Sequence, residues 1–253
     1  MQSPPISQAE IESRISPHLD ELLKLWWAEQ GEEKTRDLDL MAATIPTPRA
    51  ERLRALDLCC GPGDAGRAIH RAYPNAEVDC VDRDPFLTAI CRRANLRDQI
   101  SGKVVVADLE DTGLSAQVPP GYDVVVVANA LHWFDSARAR SLLSEVHGLL
   151  RKGGVLLFAE PVSAEPPFSV GFSQWASRQP QRYSRANWER FWTRANAILG
   201  YDHIKLLGTR PEGRIDDGLT VAGWIDLVKK AGFGTADVLL RDKDEVIVAA
   251  VRD

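Results

Sequence analysis

The sequence predicts an α/β fold, in which helices cover both faces of a doubly wound, mostly parallel sheet. From Leu53 onward, short apolar segments alternate with segments of helical periodicity, the order of elements typical of parallel sheets. The segment 122–131 contains a run of consecutive valines, which is typical of a strand buried on both faces. A glycine-rich turn joins the first strand of this series to its first helix, as in folds that bind nucleosides.

The composition is that of a globular protein. Hydrophobic residues make up 44% and charged residues 26% of the chain, which excludes a disordered or fibrous protein. The formal net charge of −5 argues against a broad basic surface, so we expect no nucleic-acid partner. No apolar run approaches the roughly 18 residues that a membrane helix needs, and residues 1–15 lack the pattern of a signal peptide. We therefore expect a cytoplasmic protein that does not associate with membranes.

Residues 1–49 are predicted to form an N-terminal helical cap followed by a connector. Ser7 and Glu10 form a capping-box pattern, after which apolar residues recur with helical spacing. Pro17 is expected to end one short helix and to begin another. Residues 31–49 are polar and include two prolines, so we predict a connector there. The apolar face of the cap could fold over a site in the core or pair with a second subunit in a homodimer.

The core is predicted to consist of residues 50–161 and 219–253. Its first part reads as strand 53–60, helix 64–73, strand 76–82, helix 84–96, strand 102–108, strand 122–131, helix 136–154 and strand 155–161. Its second part reads as helix 220–233 followed by strands 235–241 and 244–251. The short turn between these last two strands predicts an antiparallel hairpin.

Residues 162–218 interrupt the alternation and are predicted to form an inserted lid that binds the substrate. Between Glu165 and Arg214, eight basic residues stand against four acidic ones, although the chain as a whole is acidic. This excess indicates either an anionic substrate or an exposed helix face. The basic residues are Arg178, Arg182, Arg185, Arg190, Arg194, Lys205, Arg210 and Arg214.

Four cysteines bear on the question of a metal site. They are Cys59, Cys60, Cys80 and Cys91, and their spacing contains no CxxC pair. The pattern argues against zinc and against a disulfide framework. We therefore expect buried, reduced thiols and no metal.

The glycine-rich segment 56–66, LDLCCGPGDAG, follows a predicted strand and begins a helix. Its glycines allow the backbone to approach a ligand, and the helix N-terminus suits an anionic group. Asp82 ends the next strand, where a carboxylate can accept hydrogen bonds from both hydroxyls of a ribose. Gly61, Gly63 and Gly66 also satisfy the GxGxxG pattern of NAD-dependent oxidoreductases, with an acid about 20 residues later.

Two features favour a nucleoside cofactor other than NAD. Asp57 lies within the strand, before the first glycine, where it could line the cofactor or cap local backbone N–H groups. The C-terminal hairpin also stands where a dehydrogenase would have its second nucleotide-binding half. An NAD-dependent oxidoreductase remains the alternative.

Taken together, five segments resemble the motifs of the class I S-adenosylmethionine-dependent methyltransferases. They are LDLCCGPGDAG, VDRDP, VVVADLED, YDVVVVANALHWF and LLRKGGVLLFAEP. The resemblance implies a Rossmann-like core with strand order 3-2-1-4-5-7-6, S-adenosylmethionine as cofactor and S-adenosylhomocysteine as product. It implies that Asp82 binds ribose, that Asp108 and Leu109 contact adenine, and that Gly61 and Gly63 admit the methionine portion. The full predicted set of cofactor contacts is Asp57, Cys59, Gly61, Pro62, Gly63, Asp82, Arg83, Asp108, Leu109 and Asn129.

The predicted reaction is methyl transfer to a small-molecule acceptor, with an oxygen of an anionic or aromatic metabolite preferred. A cofactor-binding protein without catalytic activity is a second alternative on the same fold. His132 follows the fourth strand and is either a catalytic base or a residue packed beside Trp133. Glu160 ends the fifth strand and is either a residue that acts on the substrate or, as we expect, an exposed loop acid.

Overall fold

The predicted parallel sheet is present in the computed structural model, which describes residues 5–49, 51–110, 113–179, 184–207, 214–215 and 218–253. Its strands run in the order β3-β2-β1-β4-β5-β8-β7, and a short strand, β6, pairs with β5 off this path. Without β6, this is the predicted order, and the antiparallel C-terminal hairpin is confirmed. The strands are β1 Arg54–Leu58, β2 Glu77–Asp82, β3 Val104–Val106, β4 Tyr122–Ala128, β5 Leu150–Ser163, β6 Leu219–Thr220, β7 Thr235–Asp242 and β8 Glu245–Val251.

Helices cover both faces of this sheet. They are α1 Gln8–Ile15, α2 Leu19–Ala43, α3 Asp64–Ala72, α4 Pro85–Arg97, α5 Leu114–Gln117, α6 Ser136–Leu149, α7 Ser169–Ala176, α8 Arg185–Leu199, α9 His203–Leu207 and α10 Val221–Lys230. Short 3-10 turns occupy residues 16–18 and 131–133. No helix among the described residues is long and apolar enough to cross a membrane.

The valine run in β4 shows why the sheet is buried on both sides. Side chains of successive strand residues point to opposite faces. Val125 and Val127 pack in the cluster that contains α6 and α10, whereas Val124 and Val126 pack in the cluster that contains α3. All four are at most 1% exposed.

The predicted connector over residues 31–49 is wrong for most of its length, because α2 continues to Ala43. Gly31 has φ 75° and ψ 172°, so the helix is broken there and resumes. Beyond the break, Lys34, Leu38, Met41 and Ala42 are buried, which is the spacing of one helical face. This face holds the segment on the core although most of its other residues are polar.

A third cluster joins the cap to the insertion. Ile11 and Ile15 of α1 pack with Phe86 of α4 and with Phe191 and Trp192 of α8. The apolar face of the cap is therefore covered within the chain, over the carboxyl end of the sheet. A homodimer through that face has no support here.

Helix α6 ends earlier than predicted. It stops at Leu149, because Leu150 already pairs with Tyr122 of β4 at the start of β5. The cationic residues Arg151 and Lys152, expected in the last turn of the helix, therefore lie in a strand.

Candidate functional site

A cavity of about 630 Å³ lies beyond the carboxyl ends of the parallel strands. This is the edge at which doubly wound sheets bind ligands. Both charged groups and aromatic rings line this cavity. The lining comes mainly from α2, the segments after β1, β2, β3 and β4, Pro161, and the insertion residues Trp188, Trp192 and Ile204.

The loop after β1 approaches the cavity with its backbone. The Gly61 N–H donates to Asp82 Oδ2 at 2.9 Å, which ties this loop to the end of β2. Gly63 caps α3 with φ 88°, and a Cβ there would lie 2.7 Å from Cys91 Sγ. Only glycine fits both the backbone angle and the space. Cys59 precedes the loop with φ 53°, and the Pro62 carbonyl accepts from Arg67 Nη1.

Asp57 both caps the local backbone and lines the cavity. Its Oδ2 accepts from the Gly66 N–H at 2.9 Å, so the carboxyl caps local backbone. It also lines the cavity, although it is only 1% exposed. Burial raises the pKa of this carboxyl well above its ordinary value.

Asp82 presents a carboxylate to the cavity at the end of β2. Its Oδ2 accepts from Gly61, and its Oδ1 accepts from the Asp84 N–H at 2.8 Å. Burial, followed by the charge of Asp84, raises the pKa of Asp82 to about 6. Each oxygen holds one backbone N–H and retains capacity to accept from a ligand hydroxyl.

The segments after β2 and β3 face each other across the cavity. Arg83 Nη1 lies 3.9 Å from Asp108 Oδ2, and Asp108 Oδ1 accepts from the Glu110 N–H. Leu109, 4% exposed, forms an apolar part of the wall beside them. The structure therefore places these three predicted contacts together.

Glu160 contradicts its predicted exposure. It is completely buried in β5, and its carboxylate accepts from the N–H groups of Ala130, Leu131 and His132. His132 Nδ1 lies 2.7 Å from Glu160 Oε2. Position at a strand end gave no sign of this, because the partners come from the loop after the neighbouring strand. One carboxylate therefore supports the whole turn after β4.

His132 is both packed and oriented. Its ring centroid lies 4.5 Å from that of Trp133, and the residue is 9% exposed and lines the cavity. Because Glu160 engages Nδ1, Nε2 is the ring nitrogen available to a ligand. Nearby, Asn129 has φ 57°, and its buried Nδ2 has no hydrogen-bond partner among the described residues. Asn129 also lines the cavity, so this amide is placed to donate to a ligand.

Two cavity residues in α2, Lys34 and Leu38, were not among the sequence predictions. Lys34 is 7% exposed and lines the cavity, and the described residues offer it neither a hydrogen bond nor an ion pair. Burying an ammonium group without a counter-ion is unfavourable in free energy, so Lys34 is suited to bind an anionic ligand. Trp26 also lines the cavity and donates from Nε1 to Asp64 Oδ2 at 2.7 Å. The helical spacing of Lys34 and Leu38 was the signal that could have revealed this face.

The described basic residues of the insertion do not line the cavity. Arg178, Arg185, Arg190 and Lys205 are exposed, and Arg194 pairs with Glu21 at 2.8 Å. Arg214 lies over the ring of Trp133 at 5.5 Å. Arg182, Arg210 and the acid Glu212 lie outside the described residues. The cations that face the cavity are instead Lys34 and Arg83.

Comparison with known proteins identifies the type of domain. A family model described as "Methyltransferase domain" matches residues 55–154. The trans-aconitate 2-methyltransferase of Rhodopseudomonas palustris is 26% identical over 215 residues, covering 79% of this chain and 78% of the relative. The enzyme of the same name from Variovorax paradoxus is 25% identical over 170 residues, covering 67% and 61%.

Solved structures share the fold. An O-methyltransferase family protein from Burkholderia thailandensis has a TM-score of 0.56 at 17% identity, covering 85% of this chain and 55% of that one. PigF with S-adenosylhomocysteine has a TM-score of 0.51 at 19% identity, covering 78% and 50%. The chain thus spans about half the length of these structures, whose likeness concerns the fold alone.

Proposed function

We propose that this chain, which belongs to the class I S-adenosylmethionine-dependent methyltransferases, transfers a methyl group from its cofactor to an oxygen of a small anionic acceptor. S-adenosylmethionine is the cofactor, and S-adenosylhomocysteine is the product. The observation that carries the acceptor proposal is Lys34, a buried cation that lines the cavity without a partner among the described residues. The insertion, as a lid over residues 162–218, and the cap would enclose the acceptor.

The residues of the cavity fit the cofactor. Asp82 would accept from the two ribose hydroxyls, since each of its oxygens holds only one backbone N–H. Asp108 and Leu109 would contact the adenine, and the loop of Gly61 and Gly63 would admit the methionine portion. The remaining predicted contacts, which also lie on or beside this loop and the strand ends, are Asp57, Cys59, Pro62, Arg83 and Asn129.

The cofactor supplies a methyl group already activated by its sulfonium charge. The chain therefore needs mainly to hold the acceptor oxygen in line with that methyl group and to exclude water. A carboxylate acceptor carries no proton to remove at neutral pH. For a hydroxyl acceptor, Nε2 of His132 would take the proton, with Glu160 acting as a positioning residue through Nδ1.

Two independent features support an anionic acceptor. The cavity holds Lys34 and Arg83 beside the aromatic rings of Trp133, Trp188 and Trp192. The curated relatives are named for trans-aconitate, which is a carboxylate anion. Cations of this kind bind carboxylates by charge-assisted hydrogen bonds.

An acceptor panel tests the proposal. The protein is incubated with S-adenosylmethionine labelled in its methyl group and with small dicarboxylates and tricarboxylates, phenols or amines. We expect label in a carboxylate or phenolate product, with base-labile label identifying a methyl ester. Label transferred only to amines, or tight cofactor binding without turnover on any acceptor, would overturn the proposal.

The variant Lys34→Met separates the acceptor from the cofactor. It removes the charge and keeps most of the length of the side chain. If Lys34 binds the acceptor anion, KM for a carboxylate acceptor rises while the affinity for S-adenosylhomocysteine is kept. A loss confined to cofactor affinity would instead assign Lys34 to the methionine carboxylate, and unchanged kinetics would remove it from the site.

A further inference from the structure

Three of the four thiols meet inside the core. Cys60 comes from the loop after β1, Cys80 from the middle of β2 and Cys91 from α4. Their sulfur atoms all lie within 4.8 Å of one another, and all three residues are buried. The sequence could not indicate this cluster, because three separate elements contribute to it.

The geometry suits a trigonal site. Metal–thiolate bonds of about 2.3 Å place three sulfurs around one ion about 4 Å apart, so the cluster needs to contract by less than about 1 Å. Among the described residues, the group of donors contains these three sulfurs and no fourth. Zinc prefers four ligands, whereas Cu(I) is selected by soft thiolates alone.

Polar side chains lie beside the cluster. Arg67 Nη1 and Cys91 Sγ both border the space under Gly63, where a Cβ would lie 3.4 Å from the nitrogen and 2.7 Å from the sulfur. Arg67 is only 5% exposed, and its guanidinium is ion-paired with Asp64. Asn95 donates from Nδ2 to Cys80 Sγ at 3.8 Å. The cluster therefore has a polar neighbour at Cys91, which is Arg67, and another at Cys80, which is Asn95.

Cys60 is the member of the cluster that faces the cavity. Cys60 is 7% exposed and lines the cavity, whereas Cys80 and Cys91 lie behind it. Gly63 leaves the space that Cys91 Sγ fills, since a Cβ there would lie 2.7 Å from this sulfur. An ion that passes Cys60 would reach all three sulfurs directly under the glycine loop.

We infer that Cys60, Cys80 and Cys91 form a three-thiolate site for one Cu(I) ion. Cu(I) forms three Cu–S bonds as the three S–H bonds ionise, the three protons pass to water, and no oxidation state changes. This inference differs from the expectation of no metal, which depended on the absence of a CxxC pair. The inference stands independently of the acceptor.

Competition for Cu(I) tests the stoichiometry. The reduced full-length protein is titrated without oxygen against a Cu(I) complex of a coloured chelator. We expect the protein to remove one equivalent of copper per chain from the chelator. No removal, or removal of several weakly held equivalents, would overturn the inference.

X-ray absorption of the copper-loaded wild-type protein tests the geometry without any substitution. We expect three sulfur neighbours at about 2.3 Å. Two sulfurs in a linear arrangement, or nitrogen and oxygen neighbours, would contradict the site. Preferential binding of Zn(II) with a fourth nitrogen or oxygen donor would contradict its trigonal form.

Serine variants identify the ligands. Loss of an outer-shell partner alone costs about 10–100-fold in metal affinity, so Cys80→Ser and Cys91→Ser should each weaken Cu(I) binding by more than about a hundredfold. Cys59→Ser is the matched control, because Cys59 lies next to the cluster but outside it, and it should keep the full equivalent. Retained binding in Cys91→Ser would refute the assignment. Binding of S-adenosylhomocysteine reports that each variant is folded, and the absorption data decide if one is not.

Discussion

Two loops border the cavity, one after β1 and one after β4, and a carboxylate from the neighbouring strand holds each of them. Asp82 holds the first through the Gly61 N–H, and Glu160 holds the second through three successive N–H groups. Asp82 lines the cavity and keeps accepting capacity, whereas Glu160 is completely buried and fully engaged. The same side-chain chemistry thus faces the cavity in one loop and only supports the backbone in the other.

The substitution Glu160→Ala should have the largest effect. It leaves three buried N–H groups without an acceptor, and we expect a loss of about 3–5 kcal/mol in the free energy of unfolding. Urea denaturation measures it. Glu145→Ala is the control, because Glu145 also accepts from two backbone N–H groups but its side chain is 20% exposed, so water can replace it. Equal losses of unfolding free energy in both variants would contradict the special structural role of the buried Glu160 carboxylate.

His132→Ala tests what the second loop presents to the cavity. With a hydroxyl acceptor, we expect kcat to fall by about a hundredfold or more, since a positioned base contributes on that scale. Affinity for S-adenosylhomocysteine should be kept, because Glu160 still holds the backbone. His147→Ala removes an imidazole that packs on Phe233 away from the cavity, and it should leave kcat unchanged. Normal turnover of the His132 variant would show that this residue only packs against its neighbours.

Asp82→Ala tests the first loop. Buried hydroxyls of the ribose would lose their acceptor, which costs about 1–3 kcal/mol of binding free energy. Calorimetric titration with S-adenosylhomocysteine should show affinity lower by about tenfold or more. Asp79→Asn is the control on the same strand. Asp79 accepts a hydrogen bond from the Tyr122 hydroxyl and does not line the cavity. Unchanged affinity in the Asp82 variant would assign this carboxylate to the loop alone.

The pH dependence of binding gives the smallest effect. Burial raises the pKa of Asp82 to about 6 in the folded protein. Protonation of this carboxyl therefore stabilises the unliganded fold in full below pH 3.8, its ordinary pKa, and this contribution is lost as the pH rises through 6. Cofactor binding should have the opposite pH dependence, because the ribose hydroxyls would donate to the ionised carboxylate. Affinity for S-adenosylhomocysteine should fall below about pH 6, by at most tenfold for each pH unit. The variant Asp82→Asn should show a flatter profile, and an identical profile would exclude Asp82 as the titrating group.

The sequence predicted the elements whose signals are local. The valine run of β4, the glycine loop and the hairpin each depend on a few adjacent residues, and the family resemblance supplied the strand order. The extension of α2 was missed because the buried face of Lys34 and Leu38 is diluted by charged residues. Glu160 and the sulfur cluster were missed for another reason. Their partners come from other elements, so only the folded topology brings them together.

Asp64 gives the cap a fixed attachment. The adjacent indoles of Trp26 and Trp27 both donate to its carboxylate, at 2.7 and 3.1 Å, and this residue begins α3 directly after the glycine loop. Loss of this one carboxylate would release both indoles at once. The position of the cap and the start of α3 therefore depend on the same side chain.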